Sequence, residues 1–357
     1  MESVLVTGVA GNLGRRLLPQ LAGMRVIGVD FVEPRGEQPA RFVRMDLGVE
    51  DSCPGLVKLI REEQPACVIH LAFVLDAVRT GVLDPERMWQ INVAGTARVM
   101  EAITEAGRRG VEVRKFIFPS SVSAYGPNLP GPVKEDFPLG GHSLPYAIHK
   151  RECDLVVQQR AASISPCRTF ILRPHIFVGP SVENYLVAGL RGTPSGAGLR
   201  AQRMRERGKR LPMIVPWGDK YLRHRCQFVH VDDVARLLAW IVRRPDAGPQ
   251  VTILNVGGRG IPPSLGRCAE IAGAKLVQLP TRALARLALE ITWRMGISGF
   301  PPEAFPYLTG EYIMDLGNLQ RFLGADFERV IRYTVEDAVR ESVRREPAAA
   351  TATALAT

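Results

Sequence analysis

The chain has 357 residues, 46% of them hydrophobic, and a formal net charge of +10. This length and composition indicate a globular protein with an ample core and exclude a disordered or fibrous chain. The six cysteines are scattered without metal-ligand spacing, which argues against a disulfide framework and a metal site. No leader precedes the first apolar segment and no apolar run is long enough for a membrane span, so we expect a cytoplasmic protein.

The first predicted strand ends in a glycine-rich turn. Residues 4–7 are apolar up to Thr7, residues 8–14 read GVAGNLG, and a helix is predicted over 15–22. A strand, a glycine turn and a helix together predict a dinucleotide phosphate cradle, because glycine lets the backbone approach closely and the helix start offers free N–H groups. The alternative is an ordinary tight turn. The cofactor contacts predicted here are Gly8, Gly11, Asn12, Leu13 and Gly14.

Acidic residues end the next two predicted strands. Asp30 follows strand 25–29, where a carboxylate accepts hydrogen bonds from both adenosine ribose hydroxyls and repels a 2′-phosphate. We therefore expect NAD, with NADP as the alternative because Arg35 is near in sequence. Asp46 and Leu47 follow strand 42–45 and are predicted to meet the adenine.

The strand–helix alternation continues. A helix over 51–63 precedes the fourth strand, 67–72, and small residues end that strand where a cofactor would lie. A long helix over 85–107 and a fifth strand over 115–118 follow. The cofactor contacts predicted at the end of the fourth strand and just after it are Leu71, Ala72 and Phe73.

Tyr146 and Lys150 are four residues apart and share one face of a predicted helix. A free tyrosine has a pKa of about 10, and a neighbouring ammonium lowers it. The pair is therefore suited to moving a proton on and off a substrate oxygen. The alternative is a solvated helix face.

Short motifs follow one another at characteristic spacings. They are TGxxGxxG at 7–14, Asp30, Asp46-Leu47, HLA at 70–72, NVAGT at 92–96, SS at 120–121 with YG at 125–126, YxxxK at 146–150, LRP at 172–174 with GP at 179–180, FVHVDDVA at 228–235 and NVG at 255–257. This series resembles the extended short-chain dehydrogenase/reductases, the NAD-dependent epimerase/dehydratase group, over about residues 3–345.

The resemblance implies a role for each matching residue. Ser121 orients the substrate oxygen, Tyr146 is the general acid/base, Lys150 binds the nicotinamide ribose, and Asn92 lies near the active centre. Pro174 and Ile176 are expected against the nicotinamide. The resemblance also implies a homodimer through the helices near 85–107 and 145–160. Three nearby polar residues are expected to serve turn and packing roles only: Ser120, Ser123 and Tyr125.

Two positions depart from the family pattern. Sugar-nucleotide enzymes of the group usually carry asparagine where this chain has Ile176, which favours a hydroxysteroid-dehydrogenase-like branch. His149 stands between the tyrosine and the lysine, where small residues are common. We expect His149 on the helix surface near the site.

Charge and amphipathicity single out two later segments. Residues 190–212 carry seven basic side chains against Glu206 alone. We expect a solvated surface loop there; an anion clamp for an anionic substrate is the alternative, and nucleic acid is not an expected partner because no aromatics are interleaved. The amphipathic stretch 284–295 is predicted to be a substrate-lid or core helix, with a membrane-surface helix as the alternative. His230 and Asp233 are interpreted as structural.

The predicted fold is a doubly wound α/β (Rossmann) domain, with a mostly parallel sheet and a smaller C-terminal α+β substrate lobe. We assign residues 1–175 and 226–258 to NAD binding, 176–225 and 259–345 to the substrate lobe, and 346–357 to a disordered tail. Three functions follow, in order of preference. They are an NAD-dependent reductase or dehydrogenase for a moderately apolar small molecule, a sugar-nucleotide epimerase or dehydratase, and a non-catalytic NAD-binding regulator.

Overall fold

A computed structural model describes residues 2–75 and 84–344, so the expected disordered tail, 346–357, lies outside the described residues. Seven parallel strands form the main sheet in the order β10-β6-β5-β4-β1-β2-β3. The strands are β1 (Ser3–Thr7), β2 (Arg25–Asp30), β3 (Arg41–Arg44), β4 (Cys67–His70), β5 (Lys115–Pro119), β6 (Arg168–Pro174), β7 (Ile176–Val178), β8 (Met213–Pro216), β9 (Phe228–His230), β10 (Val251–Val256) and β11 (Leu276–Leu279).

Both faces of the main sheet are apolar, as a doubly wound sheet requires. Successive residues of β1 alternate between the faces: Val4 and Val6 join one buried cluster and Leu5 joins the other. The first cluster packs under Asn12–Leu17 and Val231–Arg243, and the second under Ser52–Glu63 and Gly95–Arg108. The predicted Rossmann architecture is confirmed.

The strand order fixes where a ligand can lie. Strand β1 is hydrogen-bonded to β4 on one side and to β2 on the other. From β1 the chain continues to β2 on one side, and from β4 it continues to β5 on the other side. The carboxyl ends of β1 and β4 therefore border a crevice. The glycine turn, at residues 8–11, opens onto this crevice.

Two helices differ from their predicted form. The helix after the glycine turn is α-helical only over Asn12–Leu17 and continues as a 3₁₀ turn, Leu18–Leu21, because Pro19 has no N–H for the α-helical ladder. The long helix is α-helical over Pro85–Trp89 and Gly95–Arg108, with a π-helical turn, Gln90–Ala94, between them. Such turns occur frequently at functional sites.

Outside the main sheet, β7 pairs with β9 and β8 pairs with β11. The remaining helices are Pro145–Arg160, Tyr185–Arg191, Leu199–Glu206, Asp219–Arg223, Leu265–Ala272, Arg282–Arg294, Phe305–Thr309, Gly317–Leu323, Phe327–Val330 and Val335–Val343. Over the described ranges, no helix combines the length and the hydropathy needed to cross a bilayer.

The basic segment combines a helix with loop on either side of it. Residues Leu199–Glu206 form an exposed helix. Arg191 instead donates to the backbone carbonyls of Val182, Pro180 and Ser342 and so holds the lobe together. Arg205 likewise donates to loop carbonyls. The segment is thus partly structural and partly a solvated basic face.

Candidate active site

The glycine turn is shaped by close backbone contacts. Gly8 has φ +72°, and a Cβ atom there would lie 2.4 Å from the amide nitrogen of Ala72. A Cβ on Gly14 would lie 2.5 Å from the carbonyl oxygen of Val9. Only glycine fits at either position, so the turn packs directly against the backbone that follows β4 and against its own first residues. This is the cradle that a dinucleotide diphosphate needs.

Asp30 ends β2 beside this cradle. Its carboxylate accepts a hydrogen bond from the Ala10 amide at 2.9 Å, and others from Phe31 and Val32. Asp30 therefore stiffens the glycine turn and is only half-buried, so it also has acceptor capacity for a ribose hydroxyl. The structure thus has an acidic side chain, Asp30, next to the glycine turn, where the sequence predicts it.

The predicted adenine contact at Asp46 has an additional partner. The Asp46 carboxylate accepts from the Gly48 amide at 2.8 Å and forms an ion pair with Arg87. Arg87 also donates to the Gly48 carbonyl. Asp46 is thereby tied to the helix Pro85–Trp89, while the neighbouring Leu47 is buried in the core beneath it.

Asn12 joins the cradle to a distant part of the chain. Its Nδ2 donates to the Ser181 carbonyl at 2.9 Å, across 169 positions of sequence. Leu13 is partly buried against core residues on both sides of this contact. The short segment after β7 therefore lies directly over the glycine turn, which the sequence does not reveal.

Tyr146 and Ser121 are brought together. Their side chains share a hydrogen bond, which favours the phenolate, but burial outweighs it and raises the Tyr146 pKa to about 12. The expected lowering by Lys150 is therefore wrong for the protein as it stands. Tyr146 is a protonated phenol at neutral pH, hydrogen-bonded to a serine that caps the turn after β5.

The Lys150 ammonium contacts other groups than the phenol. Its Nζ donates to the Pro119 carbonyl at 2.7 Å and lies 3.7 Å from the centre of the Phe73 ring. Burial lowers its pKa to about 8. The same Phe73 ring meets the Tyr146 ring edge-on, with centroids 5.7 Å apart. Phe73 thus contacts both predicted catalytic side chains, and only its place after the fourth strand hinted at it in the sequence.

Asn92 lies in the π-helical turn and is fully buried. Its side-chain amide makes a reciprocal pair with the Val74 backbone, at 2.7 and 3.0 Å, and its Nδ2 is 3.2 Å from His149 Nδ1. The expectation that His149 lies on the surface is wrong. The helix Pro145–Arg160, which contains His149, buries its second and third turns against the π-helical turn. Burial lowers the His149 pKa, so a neutral ring accepts from Asn92.

Of the three polar residues expected to serve turn and packing roles, Tyr125 is buried in a hydrogen-bonded network. The Tyr125 hydroxyl donates to Asn255 Oδ1 at 2.7 Å and accepts from Arg173 at 2.8 Å. Arg173 in turn makes two hydrogen bonds to Asp154, at 2.8 and 3.0 Å, and both side chains are buried. This network fixes the helix Pro145–Arg160 to β6.

Pro174 ends β6 and Ile176 begins β7. Between them, the buried His175 donates from Nε2 to the Tyr312 carbonyl at 2.6 Å, and its Nδ1 accepts from the Ile176 amide at 2.8 Å. Burial lowers its pKa to about 4, so the ring is neutral. Ile176 packs with residues of two apolar clusters, so its surroundings are apolar.

Two further histidines are structural. His230 caps Val231–Arg243 by accepting from the Asp232 amide, and Asp233 binds the backbone of Arg332 and Tyr333. His70 lies between Thr7, at 2.7 Å, and Thr96, at 3.1 Å. Within residues 2–75 and 84–344, no three His, Cys, Asp or Glu side chains are grouped to hold a metal ion.

The model of the NAD dependent epimerase/dehydratase family matches residues 4–257. The UDP-glucose 4-epimerase of Erwinia amylovora is 29% identical over 206 residues, 54% of this chain and 58% of that enzyme. The Haemophilus influenzae UDP-glucose 4-epimerase is 27% identical over 271 residues, 71% of this chain and 78% of that enzyme. A structure of Thermus thermophilus UDP-glucose 4-epimerase in complex with NAD superposes with a TM-score of 0.63 at 21% identity, covering 96% of this chain and 97% of the other. The alignment thus spans less than two thirds of the first of these relatives.

Proposed function

Since the chain belongs to the NAD-dependent epimerase/dehydratase family, we propose that it transfers a hydride between NAD and a hydroxyl-bearing carbon, and that its substrate is a sugar nucleotide. The observation that carries this proposal is the hydrogen-bonded pair of Tyr146 and Ser121 beside a glycine cradle. An alcohol that loses a hydride must also lose its proton, and the phenol is the group that stands ready to exchange it.

The described residues fit NAD. Its diphosphate would lie on the amides of residues 11–14, where the glycines leave no side chain in the way. Asp30 would accept from the adenosine ribose and disfavour a 2′-phosphate. When bound, NAD accepts a hydride from the substrate carbon. The remaining cofactor contacts that we propose are Asp46, Leu47, Leu71, Ala72, Phe73, Lys150, Pro174 and Ile176.

Proton movement is the task of the chain's own side chains. Ser121 would hold the substrate oxygen in line with the Tyr146 hydroxyl. Tyr146 must lose its proton first, and its raised pKa opposes this. The Lys150 ammonium would supply the missing stabilisation once it turns from the Pro119 carbonyl towards the site, because a nearby cation favours the phenolate. Asn92 would keep the helix segment beneath them in place.

The sugar-nucleotide substrate is proposed from the named relatives, which are UDP-glucose 4-epimerases. In an epimerisation the hydride removed from one face of the sugar returns to the other face, so no second redox substrate is consumed. The test is incubation with UDP-glucose without added reductant. Formation of UDP-galactose that depends on Tyr146 supports the proposal, and its absence with intact NAD binding contradicts the substrate.

A second candidate rests on Ile176. Ile176 packs among apolar side chains, and facing the substrate it would suit a less polar alcohol or ketone better than a diphosphate. The chain would then be a dehydrogenase that exchanges its cofactor in each turnover. Net NADH production from apolar secondary alcohols, without epimerisation of UDP-glucose, would establish this candidate instead.

We further propose the division into an NAD-binding part, 1–175 with 226–258, and a substrate lobe, 176–225 with 259–345. A homodimer through the helices near 85–107 and 145–160 is supported by the exposed apolar side chains of Trp89 and Leu155. Sedimentation of the wild type and of Leu155→Glu tests the dimer; a wild type that is monomeric contradicts it.

A further inference from the structure

The helix Arg282–Arg294 and the residue after it carry a row of exposed aliphatic side chains. They recur at spacings of three and four, which places them on one helix face. Ala285, on the side that faces the lobe, is fully buried. The core-helix interpretation is therefore wrong, because the helix turns large apolar side chains to solvent. The exposed residues are Leu284 (45%), Leu287 (50%), Ile291 (47%) and Met295 (41%).

A second exposed helix begins where this one ends. The Gly198 amide donates to the Gly296 carbonyl at 3.1 Å, and the Gly196 amide donates to Ile297 at 2.9 Å. Leu199 follows directly and is 71% exposed, so a further exposed aliphatic side chain lies near the end of the row. At the other end, Trp217 is 67% exposed and its amide donates to the Leu279 carbonyl, shortly before Arg282–Arg294 begins.

Positive charge lies next to the aliphatic row. Arg200, Arg203 and Arg207 are exposed on or just after the helix Leu199–Glu206. Within the described part of the chain, no carboxylate lies within ion-pair distance of these three side chains. Arg286 is exposed on the first helix as well. These cations are therefore available to an anionic partner.

From this juxtaposition we propose that the two helices form a docking surface for an anionic lipid bilayer. We name the surface, made of residues 199–207, Trp217 and 284–295, the basic-apolar face. Aliphatic and indole side chains beside unpaired arginines are the composition of helices that lie in a membrane interface. The aliphatic row has no use against nucleic acid, which offers phosphates and stacked bases.

Geometry sets the mode of binding. A helix of 13 residues is about 20 Å long at 1.5 Å per residue, shorter than the hydrocarbon core of about 30 Å. The helix would therefore lie in the plane of the headgroups, with Leu287 and Ile291 inserted and the arginines at the phosphates. The inference stands apart from the proposed reaction, since it uses none of the cleft residues.

The test is co-sedimentation of the full chain with vesicles of phosphatidylcholine alone and with one third phosphatidylglycerol. We expect binding to the anionic vesicles only. Each basic residue near such a surface strengthens binding about fivefold, so Arg200→Glu/Arg203→Glu/Arg207→Glu should weaken it by about a hundredfold or more. Leu287→Glu/Ile291→Glu, which keeps the arginines, should weaken it by roughly tenfold or more.

The matched control is Lys58→Glu/Arg61→Glu/Arg109→Glu, three exposed basic residues on or just after helices that pack on the main sheet. It makes the same change in net charge and should keep vesicle binding. The proposal is overturned if the wild type ignores anionic vesicles or if the control loses binding as much as the arginine variant. It is also overturned if Leu287→Glu/Ile291→Glu converts a dimer into a monomer in sedimentation, because the face would then be covered by a second copy.

Discussion

Replacing Tyr146 by phenylalanine removes one oxygen and leaves the ring in its place. The Phe ring keeps its edge-on contact with Phe73, so the fold loses only the hydrogen bond with Ser121, which contributes about 1 kcal/mol. General acid/base groups contribute about 10²- to 10⁴-fold to a rate, or roughly 3–5 kcal/mol of the barrier. We expect kcat to fall in that range while the Kd for NAD stays within about twofold.

The control is Tyr125→Phe, a buried tyrosine whose hydroxyl contacts Asn255 and Arg173. Losing that hydroxyl leaves buried polar groups without a partner, at a cost of about 1–3 kcal/mol in unfolding free energy, and should leave kcat nearly unchanged. Steady-state turnover assays, NAD titration and urea unfolding of both variants distinguish a role in proton transfer from a structural role. Tyr146→Phe with wild-type turnover would refute the assignment, as would a loss of turnover that only tracks a loss of stability.

Four other outcomes follow. Gly8→Ala should abolish NAD binding in titration calorimetry. The control is Gly23→Ala: Gly23 has φ +86° and no atom within 4 Å of an added Cβ, so the change should cost only backbone strain, about 1–2 kcal/mol. Equal NAD binding by the two variants would contradict the proposed diphosphate cradle. The pKa of Lys150 is lowered to about 8 in the folded chain, from about 10.4 in the unfolded chain. The unfolding free energy of the wild type should therefore rise relative to that of Lys150→Met as the pH increases from 8 to 10. A difference between the two proteins that does not change with pH would show that burial does not lower this pKa. Asp154→Asn should destabilise the chain by roughly 3–5 kcal/mol in urea unfolding, because it leaves the buried Arg173 charge uncompensated; a smaller loss would mean that water reaches the pair. Asp30→Asn should weaken NAD binding about tenfold or more and reduce the ratio of NAD affinity to NADP affinity in the same titration. An unchanged ratio would show that residues other than Asp30 determine the choice of cofactor.

The main sheet and the cradle could be predicted from the sequence because their signals are local. Buried parallel strands are continuous apolar runs, and the glycine turn must follow the first of them directly. Asp30 was predictable for the same reason, since it ends the next strand. These features depend on residues a few positions apart, so the chain order alone positions them.

The features that the sequence did not reveal depend on contacts between distant segments. Asn12 donates a hydrogen bond to Ser181, 169 positions away, and no sequence pattern in either segment predicts this contact. His149 is buried because the π-helical turn with Asn92 packs against it, and a π-helical turn has no sequence signature. The Tyr146 pKa was predicted in the wrong direction because spacing reports the nearby lysine but neither its hydrogen bond to Pro119 nor the burial of the phenol.

The most direct test of NAD-dependent epimerisation is mass spectrometry of the small molecules released when the purified chain is denatured. We predict about one NAD or NADH per chain, retained because an enzyme that returns its hydride to the same substrate has no need to exchange cofactor. A chain that is empty yet binds added NADH reversibly would contradict epimerisation in favour of a dehydrogenase. Recovery of NADP(H), or failure to bind NAD at all, would contradict the cofactor site built on Gly8 and Asp30.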